Sequence, residues 1–262
     1  MNMDNSAAKS ASDASLLDAS NSLDPRLSTL IEWMRTSAAP ANGLLVPLSG
    51  GSDSALIFWL LNQAFPPNPA GKAAHDGSSS EPARNKIIGV HVGDNLRCRE
   101  WFESVGTVRV VPKPTLSAGQ DAEVMRWATV QSLCVSERLW LVGSRTRTEE
   151  VLGTFSYASC VATYLPLASI LKSEVMELCA LAGVPEEILA SSRRADPDCG
   201  RPQAMAEIPL EQIDVFLRVK LQELPATALE ALGEATVNYL DGVYTRNQFK
   251  RVLPKRGPAL TN

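Results

Sequence analysis

The stretch "LLVPLSGGSDSALIFWLL", residues 44–61, constrains the fold more than any other part of the chain. A short apolar run, Leu44–Leu48, has the length of a buried strand. The run from Ala55 to Leu61 is apolar nearly all round, as expected of a helix packed against a sheet. Between them stand Ser49, Gly50, Gly51, Ser52, Asp53 and Ser54. A tight connection needs one glycine, not a whole run of small residues. The excess implies that a ligand lies against this backbone. Unpaired N–H groups at a helix start converge on such a turn, and the helix dipole makes it a site for an anion.

The residues in the turn narrow the ligand. No Gly-Lys-Ser/Thr follows, so it is not a Walker A loop, and it is not G-x-G-x-x-G. An aspartate in an anion site repels phosphate unless a cation sits between them. Asp53 therefore implies Mg²⁺ bridging it to a pyrophosphate. The plain alternative is a Ser/Gly turn with Asp53 capping the helix. The position between two buried elements favours the phosphate reading.

The rest of the chain continues in the same mode. "KIIGVHVG", "TVRVVPK" and "RLWLVGS" read as further strands, and "DAEVMRWATVQSLCVSE" as a helix. Strands alternating with helices from Leu44 to Ser144 predict an α/β fold, a parallel sheet with helices on both faces. Ligands in such sheets bind at the carboxyl ends of the strands, where Ser49–Ser54 and Gly143-Ser144 both fall. "RLSTLIEWMRTSA" predicts a preceding helix through Leu27, Leu30, Ile31 and Met34. After Ser144 the pattern is mostly helical. "ASILKSEVMELCALAGVPEEILAS" ends one helix at Gly183 and starts another at Pro185, and "IPLEQIDVFLRVKLQ" and "PATALEALGEATVNYLDGVYTR" supply two more. "PPNPAGKAAHDGSSSEPARN" reads as a long flexible loop.

Residues 1–22 read as a disordered polar tail, 23–254 as a single domain, and 255–262 as a C-terminal tail. The tail lacks the basic start and apolar stretch of a secretory signal, and no apolar run is long enough to span a bilayer. A net charge of -4 supplies no electrostatic footprint for nucleic acid or an anionic membrane. The five cysteines form no C-x-x-C pair and the only histidines are His75 and His91, which argues against a zinc site and for reduced thiols in a cytoplasmic protein. Trp101, Trp127 and Trp140 are expected in the core or on a partner surface.

"SGGSDS" resembles the pyrophosphate loop of the N-type ATP pyrophosphatases. Downstream segments resemble one branch, the ammonia-dependent NAD synthetases. In "LVGSRTRTEEVLGTFS", Gly143, Glu149, Gly153 and Phe155 match that family's Gly-Thr-x-x-x-x-Glu segment and its following Gly-aromatic pair, with Ser144 in place of Thr. "YLPLASILKSEVMELCALAGVPEEIL", "EIPLEQIDVFL" and "NQFKRVLP" resemble later family segments in order, so the likeness runs from about Asp24 to Pro254. It implies adenylylation of the carboxylate of deamido-NAD⁺ by ATP, release of pyrophosphate, and attack by free ammonia to give NAD⁺ and AMP. It also implies a homodimer. No room remains for a glutaminase domain in this chain.

By the same resemblance Ser49, Gly50, Gly51, Ser52, Asp53, Ser54 and Ser144 bind ATP, and Asp53 and Glu149 hold Mg²⁺. Lys172 contacts a phosphate, and Asp53 and Lys172 act in catalysis. Arg126 lies near the family's Ala-Arg-x-Arg helix and is a further ATP contact. Asp196 and Lys250 match substrate-side positions. The chain departs from the pattern at Phe249, which replaces the closing histidine, in "GVHVGDNLRCREW" after the second strand, and in two longer segments. Residues 156–166 lack the family's Lys-Tyr-Gly-Asp-Gly, and 191–206 read "SSRRADPDCGRPQAMA" in place of Pro-Ser-Ala-Asp-Leu and its acidic run. Arg193 and Arg194 stand in this second segment, where a solvated pair is the default. The ATP side is thus kept and the acid side altered. An ATP pyrophosphatase acting on another acid, or a non-catalytic nucleotide-binding paralogue, stays open beside the NAD synthetase reading.

Overall fold

The computed structural model describes residues 23–66, 86–193 and 203–252. Its centre is a four-stranded parallel sheet of β1 (Gly43–Pro47), β2 (Lys86–Val92), β3 (Val108–Val111) and β4 (Trp140–Leu141), in the order β3-β2-β1-β4. In β1, Leu45 pairs with Ile88 on one side and with Leu141 on the other. Crossover helices cover both faces, as the alternating pattern predicts. Leu44 and Val46 point to the side packed by α1 (Pro25–Ser37), α2 (Ser52–Ala64), α6 (Lys172–Leu181) and α7 (Glu186–Arg193). Leu45, Ile88, Val90, Val92 and Leu141 point to the opposite side, against Val130 and Cys134 of α4 (Ala122–Glu137). The helix α2 is buried nearly all round, with Phe58, Leu60 and Leu61 inaccessible. Each such side chain contributes about 1.5–3 kcal/mol by leaving water.

The chain runs outward from β1 to β2 and β3, then returns across the sheet to place β4 on the other side of β1. The crevice at the carboxyl ends of β1 and β4 is therefore the topological switch point, where ligands bind in open α/β sheets. The fourth strand is shorter than "RLWLVGS" suggests. Only Trp140 and Leu141 pair with β1, and Val142 makes a single bridge to Tyr164. Beyond the sheet, α5 (Arg147–Leu152), α9 (Leu210–Lys220) and α10 (Glu234–Arg246) enclose a second core of Leu152, Ile213, Phe216, Leu217, Leu240 and Val243. The four-residue α8 (Gln203–Ala206) precedes α9.

Two elements differ from expectation. Helix α3 (Arg99–Val105) occupies "REWFESV", where no helix is predicted. Phe102 is its one buried residue, so no apolar period marks it. The expected helix after Pro225 is split into a 3-10 turn, Ala226–Leu232, and α10, with Gly233 at φ 78 between them. The long Pro/Gly/Ser loop, both expected tails, Arg194 and Asp196 lie outside the described residues. Among the described residues no helix is long and apolar enough to cross a membrane.

Gly153 joins this frame to the site. It ends α5 at φ +67, and a Cβ there would lie 2.7 Å from Asn247 Cβ and 2.9 Å from Asn247 O. Both the left-handed dihedral and the clash oppose any side chain. Gly153→Ala is expected to cost about 1–3 kcal/mol, seen as a lower urea midpoint at unchanged m value. An unchanged midpoint would contradict the close packing of α5 on the segment after α10.

Candidate active site

The loop Ser49–Ser54 joins β1 to α2 and is held by its own hydroxyls. Ser54 Oγ donates to Gly51 O at 3.0 Å, accepts from Ser49 N at 3.3 Å and lies 3.1 Å from Ser49 Oγ. Gly51 N donates to Ser49 Oγ at 3.3 Å. Gly50 takes φ +79, a conformation that favours glycine. Gly51 is the N-cap of α2 and supplies no side-chain cap, so the start of the helix faces the loop. Ser54 is buried and braces the turn from beneath, whereas Ser49 is exposed. Ser52 N donates to Ser192 Oγ at 3.2 Å, which ties the loop to α7.

Beneath the loop lies a charged cluster drawn from three elements. Asp53 is in the first turn of α2, and Lys172 is the first residue of α6. The lysine is 5% exposed, and its Nζ donates to Asp53 Oδ1 at 2.5 Å and to Ser52 Oγ at 2.8 Å. Lys172 N donates to Thr148 Oγ1 of α5 at 2.9 Å. Glu149 completes the cluster from α5. Its Oε2 accepts from Thr146 N at 2.8 Å and Thr146 Oγ1 at 3.0 Å in a capping box. Burial, and next the charge of Asp53, push the Glu149 carboxyl up from its ordinary value; the Thr146 bonds and Lys172 oppose them. Cys179 lies close by and donates to Ser52 O at 3.4 Å. Burial is the main reason its thiol is pushed up to about 12, which makes it inert at neutral pH.

Among the described residues no group of three or more His, Cys, Asp or Glu side chains gathers as a metal cage. Two hard carboxylates beside a phosphate-type loop are nevertheless the donor set of Mg²⁺, which keeps waters and phosphate oxygens as its other ligands. Lys172 bonds Asp53 through its Nζ and Thr148, the neighbour of Glu149, through its backbone N–H, so the two carboxylates stand on adjoining elements. The residues fit that ion.

A cavity of ≈ 380 Å³ opens at the switch point, with Ser49, Ser144, Glu149, Arg126 and Trp127 among its walls. The structure thus brings together residues predicted from separate motifs. Asp53 and Lys172 adjoin it through Glu149. Arg126 is half-exposed and lies 3.7 Å from Glu123. Trp127 packs against the core on the α4 side of the sheet, as expected, and also forms part of this wall. Lys250 sits behind the wall: its Nζ donates to the carbonyl of Phe155, a wall residue, at 2.7 Å. Burial, above all, holds the Lys250 ammonium below the ordinary lysine value. Arg193 pairs with Glu186 on the surface. Sequence reasoning missed Arg145, a buried wall residue at the carboxyl end of β4. Its position one residue after Gly143-Ser144, on the ligand edge of the sheet, was the available signal.

The family described as NAD synthase matches residues 115–254. The NH(3)-dependent NAD(+) synthetase of Alkaliphilus oremlandii is 25% identical over 254 residues, which cover 88% of this chain and 96% of that protein. Two solved structures share the fold. The NH3-dependent NAD synthetase of Campylobacter jejuni, in complex with the nitrate ion, has a TM-score of 0.63 at 15% identity, covering 88% of this chain and 97% of its own. The NMN synthetase of Francisella tularensis has a TM-score of 0.61 at 20% identity, covering 90% and 96%.

Proposed function

The chain belongs to the NAD synthase family, and from that membership we propose that it is an ATP-dependent ligase joining ammonia to the carboxylate of deamido-NAD⁺. The observation that carries this reading is the meeting of Ser49, Ser144 and Glu149 in one cavity, with Lys172 of the Asp53–Lys172 pair bonded to Thr148 beside Glu149. The triphosphate of ATP lies on the Ser49–Ser54 backbone, at the start of α2. A substrate carboxylate oxygen forms a bond to the α-phosphorus, and the bond from that phosphorus to the bridging oxygen breaks, so pyrophosphate leaves. Ammonia then bonds to the activated carbonyl carbon, the bond to the AMP oxygen breaks, and the nitrogen loses a proton. Asp53 and Glu149 would hold Mg²⁺, which neutralises phosphate charge when bound. Lys172 pairs with Asp53 and places its ammonium next to the loop. The rest of the catalysis is positioning of reactants. The protein works as a homodimer on free ammonia.

A second reading keeps this ATP chemistry but takes a different acid. The altered residues 156–166 favour it, since Ser156, Ser159 and Leu165 form part of the cavity wall. One assay separates the two. Protein, ATP, Mg²⁺, ammonium and deamido-NAD⁺ are expected to yield NAD⁺, AMP and pyrophosphate in equal amounts. Pyrophosphate exchange supported only by another acid would select the second reading. ATP binding with no pyrophosphate from any acid would exclude both.

A further inference from the structure

The side chain of Arg145 is 9% exposed, yet its guanidinium is satisfied on one edge only. Nη1 donates to Glu150 Oε1 at 2.9 Å, and Cζ lies 3.9 Å above the centre of the Phe155 ring. Among the described residues Nη2 has only long contacts: Ser159 O at 3.5 Å, Ser159 Oγ at 3.4 Å and Cys160 Sγ at 3.8 Å. Nε has no acceptor among the described residues. Nε and Nη2 form the side-on edge of a guanidinium, which takes two oxygens of one anion in parallel. A permanently charged group buried with that edge unmet is costly unless a ligand completes it. The stack on Phe155 and the Glu150 pair keep the plane in place for such a ligand.

The charge around the cavity is divided. At the loop, Asp53 and Glu149 face Lys172, so negative charge is in excess. At the other end, Arg145 and Lys250 flank Phe155, with Lys250 Nζ 5.4 Å from the ring centre, and Glu150 is the carboxylate paired there. ATP with its metal accounts for the loop end. The second end calls for an anion on the other substrate.

We propose that the Nε/Nη2 edge of Arg145 binds a phosphate group of the acid substrate. The reacting carboxylate is the poorer candidate, because side-on pairing would occupy both its oxygens and withdraw charge from the nucleophile. The Ser159 turn covers the edge, so binding exchanges its long contacts for phosphate oxygens. This assignment rests on the ligase reading above.

The test uses the full chain with Arg145→Gln and Arg145→Lys. Arg145→Gln is expected to raise the KM for deamido-NAD⁺ by roughly 10- to 100-fold, the worth of a charged hydrogen-bond pair. The KM for ATP stays near that of the wild type. Arg145→Lys, which keeps the charge but not the fork, falls between. An unchanged KM for deamido-NAD⁺, or equal rises for both substrates, would overturn the assignment. If the wild type fails to turn over deamido-NAD⁺, the ligase reading has failed on that substrate. Binding of nicotinate mononucleotide is then compared, and no binding by the wild type, or equal binding by wild type and Arg145→Gln, rejects the role of Arg145.

Discussion

Asp53→Asn is expected to lower pyrophosphate release by at least roughly 10²–10³-fold, the loss typical when a preorganised electrostatic contact at a transition state is removed. Asn keeps the shape of Asp and removes its charge. One candidate Mg²⁺ carboxylate is lost, and the Nζ of Lys172, 2.5 Å from Asp53 Oδ1, loses its counter-ion in a nearly buried site. Glu149 also changes: without the Asp53 charge that pushes it up, its carboxyl ionises at lower pH. The turnover number and melting temperature of the variant together test this. Wild-type turnover in a folded variant would remove Asp53 from the mechanism and the loop assignment with it.

Lys172→Met is expected to have the larger effect on stability. Met fills a similar volume, but Asp53 loses its ion-pair partner and Glu149 loses a nearby cation. Removing one partner of a buried ion pair costs about 3–5 kcal/mol. The 23% exposure of the Asp53 side chain puts this pair at the lower end of that range. The loss depends on pH. The Glu149 carboxyl is already raised by burial and by Asp53, and Lys172 is one of the groups that lowers it. Without Lys172 it rises further. A carboxyl whose folded value exceeds its unfolded one stabilises the fold below the unfolded value, about 4.3 for Glu, and loses that contribution as pH climbs through the folded value. Lys172→Met therefore falls furthest below the wild type at neutral pH and least in mild acid. Urea unfolding of both proteins at pH 5 and pH 7.5 measures the difference. An equal loss at both values would separate Lys172 from the carboxylates.

Much of the scaffold is legible along the chain because its signals are local. The β1–loop–α2 unit follows from an apolar run, a glycine turn and a second apolar run, and the structure places each where the pattern predicts. The parallel sheet follows from the alternation of strands and helices. Helix α3 escapes notice because Phe102 alone is buried in it, and the break at Gly233 is hidden within a segment whose apolar spacing reads as continuous.

The chemistry divides along the same line. The sequence alone determined the Ser49–Ser54 turn between β1 and α2 and the family, since turn dihedrals, helix starts and motif order depend on neighbours in the chain. Only the tertiary structure decided that Lys172 reaches Ser52 across 120 residues, that Asp53 raises Glu149, and that one edge of Arg145 is left unmet in a cavity wall. Coulomb forces, desolvation and hydrogen bonds depend on distance in space, which β4 sets by crossing back beside β1.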